Sequence, residues 1–199
     1  MQPEIEAKFL NVDHDVVRQK LAELGAKLEK PMRLMRRTIF DYPDGRIERV
    51  LKGRLRVRDE GDKITVTYKS PRPDRYNDET ETTVGSYETM VKLFEAIGLV
   101  PISAQESKRE TWHCENVEVV LDEWPWVRTY IEIEGPSEQE IRNCAAALGF
   151  DWGDAVFGSV ENVYRAEYPG MKAEETLSEI PEISFDAPLP SRLGLRRTK

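Results

Sequence analysis

Alternation of apolar and ionisable residues, repeated in one predicted strand after another, limits the fold of this chain more than any other sequence feature. Side chains at i and i+2 of a strand share a face. The stretch 54–58 therefore places three arginines on one face and Leu55 and Val57 on the other. Strands of this kind predict an antiparallel sheet that packs its apolar face against helices.

The ionisable faces are sorted by sign, with carboxylates two residues apart in some strands and arginines two residues apart in others. Like charges this close repel unless an opposite charge lies between them. A sheet curled with this face inward would therefore suit divalent cations between the carboxylates and a polyanion between the bases. The acidic members are Glu4, Glu6, Glu79, Glu81, Asp122, Glu132 and Glu134, and the basic members are Lys8, Arg54, Arg56, Arg58, Lys69 and Arg109.

The order of predicted elements indicates an α+β fold with a mostly antiparallel sheet. Ser137 and Glu140 form a capping box, which marks the start of a helix. Helices are predicted from Asp13 to about Leu24, from Ser86 to Gly98, from Ser137, and from Ser159 to about Tyr168. Strands are predicted at 3–10, two or three times within 33–58, and at 63–69, 79–84, 105–112, 117–123 and 128–134.

Length and composition fit one domain over residues 1–169, followed by a proline-containing tail over 170–199 that is either docked or disordered. The net charge of −8 makes general nucleic-acid binding a poor expectation. Two cysteines exclude a disulfide framework and a zinc site built from thiolates, and two histidines exclude a histidine-rich metal site. The sequence shows neither a signal peptide nor an apolar run long enough to span a membrane, so we expect a cytoplasmic protein that does not bind membranes.

The residues also resemble a known family. E-I-E-A-K at 4–8 is similar to the ExExK signature of the CYTH superfamily, the triphosphate tunnel metalloenzymes. The resemblance extends over about residues 1–169. It implies a closed eight-stranded antiparallel β-barrel with helices packed outside and a linear triphosphate bound along its bore. Supporting motifs, in the family's order, are L-R-V-R at 55–58, T-Y-K at 67–69, E-T-E at 79–81, R-x-x-W at 109–112, L-D at 121–122 and E-I-E-G at 132–135.

The resemblance implies a role for each matching residue. Mg²⁺ or Mn²⁺ would be bound by Glu4, Glu6, Glu132 and Glu134. Phosphate would be bound by Lys8, Arg56, Arg58, Lys69 and Arg109, with Arg54 less sure. Glu79, Glu81 and Asp122 would be catalytic, as further metal ligands or as residues that position a base or water. One position departs from the family pattern, because Ser107 stands where many members have a lysine, and Arg54 could replace that base.

Members of the family include class IV adenylyl cyclases, thiamine triphosphatases and inorganic tripolyphosphatases, so the resemblance implies tripolyphosphate, ATP or thiamine triphosphate as substrate. The matching residues serve hydrolysis and cyclisation equally. We favour a metal-dependent triphosphatase because no residue can be named for a purine pocket, and keep adenylyl cyclase as the alternative. A non-catalytic triphosphate- or nucleotide-binding module is a second alternative, and an RNA-end triphosphatase a third. A homodimer is one expected assembly, since many members pair.

Overall fold

The computed structural model describes residues 2–73 and 76–197, with side chains described from Ile5 onward in those ranges. Its strands are β1 Gln2–Glu4, β2 Glu6–Leu10, β3 Lys27–Asp41, β4 Arg54–Asp59, β5 Ile64–Pro71, β6 Asn77–Val84, β7 Val100–Cys114, β8 Val117–Glu123, β9 Tyr130–Glu134 and β10 Glu182–Ile183. Its α-helices are α1 His14–Glu23, α2 Arg46–Arg49, α3 Tyr87–Ala96, α4 Glu138–Ala147 and α5 Val160–Glu167. In these described ranges no helix is both long and apolar enough to cross a membrane.

All ten strands belong to one curled sheet, which runs in the order β1-β6-β5-β4-β3-β7-β8-β9-β2. Every pairing along this path is antiparallel, and β10 adds a short parallel pairing to β7. Counting β1 and β2 as two parts of one interrupted strand, the path has eight members. The α+β class and the antiparallel sheet are confirmed.

The expectation of a closed barrel is wrong. The first strand is interrupted at Ile5, where the chain changes partner: β1 pairs with β6, and β2 pairs with β9. In the described part of the chain each half of this strand therefore has a ladder on one side only, and the ring of ladders is incomplete there. The sheet is therefore an open half-barrel. Alternation alone could not show this, since it fixes which side chains share a face and leaves the partner of each strand open.

The three longer predicted helices begin where their capping residues predict. The Asp13 carboxylate accepts hydrogen bonds from the backbone N–H groups of Asp15 and Val16. The Ser86 and Ser137 hydroxyls each accept one from the backbone N–H three residues later in the chain. The short α2 was not predicted. The backbone N–H groups of Ile47 and Glu48 in its first turn donate to the Asp41 carboxylate at 2.8 and 3.1 Å. This capping residue lies too far from the helix in the chain for a local pattern to reveal it.

The apolar face of the sheet packs outward against helices, which leaves the ionisable face on the inside of the curl. Val17 and Leu21 of α1 and Ile141 of α4 pack against fully buried strand residues such as Val119 and Ile133. Burial of each such side chain contributes about 1.5–3 kcal/mol. A second cluster packs Phe94 of α3 against β3 and β4. The helices thus hold the sheet in its curl.

The C-terminal segment 171–197 is docked, one of the two alternatives left open by its composition. Met171, Leu177 and Ile183 are buried in a cluster with Tyr164 of α5 and Trp124. The backbone is tied to the sheet as well, because the Ser103 hydroxyl donates to the Ile180 carbonyl at 2.6 Å. Trp124 also lines the central cavity, so this segment supports one wall of the site.

Candidate functional site

The curled sheet surrounds a cavity of about 290 Å³ whose wall is the ionisable face. Bases outnumber acids among its described lining residues, so the wall favours an anion. The lining bases are Lys8, Lys30, Arg33, Arg37, Arg54, Arg56, Arg58, Lys63, Lys69 and Arg109. The lining acids are Glu6, Glu29, Glu60, Glu79, Glu81, Glu118, Glu132 and Glu134.

One end of the cavity is built from β2 and β9, which pair Glu6 with Glu134 and Lys8 with Glu132. Glu6, Glu132 and Glu134 all line the cavity, and together they offer only oxygen ligands, the donor type that Mg²⁺ and Mn²⁺ prefer. By donor type these three carboxylates suit a hard divalent cation, and in this structure the Lys8 ammonium lies between two of them. The side chain of Glu4, the fourth expected ligand, lies outside the described residues.

Lys8 is enclosed by this acidic group and does not point freely toward a substrate. Its ammonium lies 2.6 Å from Glu6 Oε1 and 3.0 Å from Glu132 Oε2, and donates to the Gly158 carbonyl at 2.8 Å. These contacts satisfy its three donors. Burial acts to lower the pKa of Lys8, but the carboxylates of Glu132 and Glu6 outweigh it and raise the pKa above its usual value.

Glu132 is correspondingly held ionised. Burial alone would raise the pKa of this carboxyl, yet the charges of Lys8 and Arg109 lower it well below its ordinary value of 4.5. Glu132 thus acts as a carboxylate at any physiological pH, and Lys8 is the counter-ion that it shares with Glu6.

The opposite wall is basic and comes from β4, β5 and β6. Arg58 Nη2 lies 3.8 Å and Arg56 Nη2 4.0 Å from the same Glu81 oxygen, which also accepts a hydrogen bond from the Thr67 hydroxyl at 2.7 Å. Lys69 Nζ lies 2.8 Å from Glu79 Oε2. This wall therefore brings together five of the residues expected to bind phosphate or to be catalytic.

Two expected site residues have different surroundings. Asp122 is almost fully buried and is not among the cavity-lining residues; it accepts two hydrogen bonds from the Arg109 guanidinium, at 2.8 and 2.6 Å. It therefore fixes the orientation of Arg109. Arg54 lines the cavity but forms an ion pair with Glu161 of α5, so its charge is already compensated.

Arg37 is the most informative residue that the sequence-based assignment missed. Its side chain is 8% exposed, it donates to the Ser107 hydroxyl, and its guanidinium carbon lies 4.4 Å from the centre of the Trp124 ring. Within the described ranges it has no carboxylate partner at ion-pair distance. Burial and the like charges of Arg56 and Arg58 lower its pKa well below the usual value. A buried, uncompensated guanidinium is costly unless an anion joins it.

The same residue answers the question raised by Ser107. That serine on β7, where the resemblance led us to expect a lysine, accepts a hydrogen bond from Arg37 on the neighbouring β3, so a base does lie at this place. Alternation could have indicated it, since Arg33, Met35, Arg37 and Ile39 occupy successive same-face positions and all four line the cavity. Glu60 and Lys63 were missed for a different reason. They belong to the β4–β5 turn, where no strand period applies.

Comparison with known proteins agrees with the architecture. The family model described as "CYTH domain" matches residues 2–150. The chain belongs to the CYTH family. This CYTH chain is 28% identical over 134 residues to a candidate adenylate cyclase of Methanocaldococcus jannaschii, covering 66% of the chain and 75% of that protein.

Solved structures share the fold of this CYTH chain. A candidate adenylate cyclase from Vibrio parahaemolyticus superposes with a TM-score of 0.72 at 14% identity, covering 83% of this chain and 99% of that one. A Hippeastrum protein, described as a candidate adenylyl cyclase with a dominant triphosphatase activity, superposes with a TM-score of 0.56 at 17% identity, covering 78% and 91%. The CYTH match ends at Phe150, so α5 and the docked C-terminal segment lie beyond it.

Proposed function

We propose that this chain is a divalent-metal-dependent enzyme that hydrolyses a triphosphate bound in the cavity. The observation that carries the proposal is Arg37, a buried guanidinium with no carboxylate at ion-pair distance among the described residues, where the positive charges of Arg56 and Arg58 act together with burial and outweigh the more distant Asp122. A linear polyphosphate would compensate all three, and arginine binds phosphate oxygens through paired donors.

The two ends of the cavity divide the work in this proposal. Arg37, Arg56, Arg58, Lys69 and Arg109 bind and orient the phosphate chain, which supplies most of what phosphoryl transfer requires. Asp122 keeps the Arg109 guanidinium in place through its two hydrogen bonds.

The carboxylates of the opposite end complete the site. Mg²⁺ or Mn²⁺, when bound by Glu6, Glu132 and Glu134 together with Glu4, would neutralise phosphate charge and lower the pKa of a bound water. Lys8 holds the Glu6 and Glu132 carboxylates in position through its two ion pairs. Glu81, with Glu79 beside it, is the carboxylate we assign to positioning the attacking water, because its side chain lies next to Arg56 and Arg58, which would bind the phosphate chain.

Adenylyl cyclase activity is the second candidate, and the relationship to the Methanocaldococcus jannaschii protein favours it. The same phosphate clamp would then hold ATP, with the ribose 3′-hydroxyl as nucleophile and pyrophosphate as leaving group. The description of the Hippeastrum protein favours hydrolysis. A binding module without turnover is the third candidate; the carboxylate end argues against it, since binding an anion needs no cation ligands.

Product analysis separates these candidates. Purified protein is incubated with tripolyphosphate, ATP or thiamine triphosphate in Mg²⁺, Mn²⁺ or EDTA, and products are resolved by phosphorus NMR. We expect orthophosphate from at least one substrate, lost with EDTA and in Glu132→Gln, and retained in Glu95→Gln, which removes the same charge from an exposed position on α3. Cyclic AMP with pyrophosphate would establish the cyclase, and binding without turnover would establish the module.

A further inference from the structure

A second group of metal-ligating side chains lies beside the carboxylates that β2 and β9 contribute, and two of its members, Glu29 and Glu118, line the cavity. Glu29, His113 and Glu118 each present one ligand atom, and these three atoms lie within 4.8 Å of one another. The closest pair is His113 Nε2 and Glu29 Oε2, at 2.6 Å. Glu29 and His113 are half-exposed and Glu118 is less so, which leaves room for water on the outer side.

Three neighbouring strands hold these ligands. His113 on β7 stands directly opposite Glu118 on β8 in the antiparallel ladder. Glu29 belongs to β3, where Leu28 pairs with Trp112 and the next pairing joins Lys30 to Thr111. Glu29 is thus the extra residue of a bulge, and bulges commonly re-aim a side chain. The group rests on the sheet itself, so its spacing does not depend on a loop.

The charges at this place are unbalanced. Glu118 accepts no hydrogen bond and forms no ion pair within the part of the chain that the structure describes. It also faces Glu134 across the β8–β9 ladder, and Glu29 lies on its other side. A cation bound between these carboxylates would relieve their mutual repulsion.

We propose that Glu29, His113 and Glu118 form a second metal site, specific for a divalent transition-metal ion such as Zn²⁺. One imidazole and two carboxylates with water in the remaining position are a ligand set typical of such ions, and it binds Zn²⁺ more tightly than Mn²⁺. Mg²⁺ prefers oxygen ligands alone, which the acidic end of the cavity provides and this group does not. The site is independent of the proposed hydrolysis.

Metal binding to the full chain tests this directly, without an activity assay. Zn²⁺ is titrated calorimetrically against a competing chelator, and Co²⁺ is followed by its visible absorption. We expect one equivalent of Zn²⁺ to bind, with affinity reduced at least about tenfold in His113→Gln and in Glu29→Gln. Glu95→Gln, the matched charge control, should bind as the unmodified protein does, and so should Glu132→Gln, which alters the other metal group.

Each outcome is decisive. Unchanged Zn²⁺ affinity and stoichiometry in His113→Gln, with folding confirmed by circular dichroism, would overturn the proposal. Loss of Zn²⁺ binding in Glu132→Gln alone would also overturn it, because the metal would then lie at the acidic end. Nitrogen ligation is checked independently by the Co²⁺ spectrum, which should lose intensity in His113→Gln and keep it in Glu95→Gln. Failure of this site would leave the triphosphatase proposal untouched.

Discussion

Replacement of Arg37 by methionine should stabilise the ligand-free protein while abolishing tight triphosphate binding. Burying an ion costs several kcal/mol. Two contacts offset part of this cost. The hydrogen bond from Arg37 to Ser107 stabilises the folded protein by about 1.5–3 kcal/mol, and the stacking of the guanidinium on Trp124 by about 0.5–2 kcal/mol. The described carboxylates compensate little of this cost, because none lies at ion-pair distance from Arg37 and Asp122 acts on it only from farther away. We therefore expect Arg37→Met, of similar length, to raise the free energy of unfolding by about 1–2 kcal/mol.

For a chain of this size, such a change raises the melting temperature by about 2–8 °C. Triphosphate affinity should move the other way, because removing one partner of a buried charge pair costs about 2–5 kcal/mol. Tripolyphosphate should then bind roughly 30-fold to several thousand-fold more weakly. Melting is followed by calorimetry, and binding by titration in EDTA so that turnover does not interfere.

Arg36→Met is the matched control. Arg36 is the neighbouring residue on β3, but its side chain is 64% exposed and lies 3.6 Å from Glu106. Exposed ion pairs contribute about 0–1 kcal/mol, so this variant should change neither stability nor binding by much. The reasoning is refuted if Arg37→Met lowers the melting temperature and still binds tripolyphosphate as tightly as the unmodified protein.

Three further predictions concern other buried groups. Asp122→Asn should lower the free energy of unfolding by about 3 kcal/mol in urea titrations, because the Arg109 guanidinium loses its ionic partner; an unchanged midpoint would contradict this. The pKa of Glu132 is lower in the folded protein, so its stabilising effect is complete above pH 4.5 and is lost as pH falls. The stability gap between the unmodified protein and Glu132→Gln should therefore narrow in acid, and a gap constant down the pH series would refute the assignment. Burial, followed by the neighbouring Cys114, raises the pKa of the Cys144 thiol to about 12, so native protein should resist alkylation at Cys144 until denatured, and rapid native labelling, read by mass spectrometry, would show the burial to be wrong.

Much of the site was predictable because a strand has a period of two. That period assigned Arg56, Arg58 and Lys69 to one face, and the structure places all three on the wall of the cavity. The capping residues Asp13, Ser86 and Ser137 likewise marked helix starts correctly. Both signals act between residues close in the chain, where local geometry alone decides the outcome.

The partner of each charge needed the tertiary structure. The sequence placed Lys8 among phosphate-binding bases, yet its ammonium lies between two carboxylates, one of them on β9. Arg54 finds Glu161 on a helix more than a hundred residues away, and Arg37 gains its position from Ser107 across the β3–β7 pairing.

By itself, then, the sequence determined the α+β class, the inward ionisable face and most of the residues on it. The open edge of the sheet at Ile5, the docking of the C-terminal segment and the pairing of each buried charge were decided only by the tertiary structure. The physical reason is that alternation and capping act over a few residues. Strand partners and ion pairs, in contrast, depend on distances between segments that no local pattern encodes.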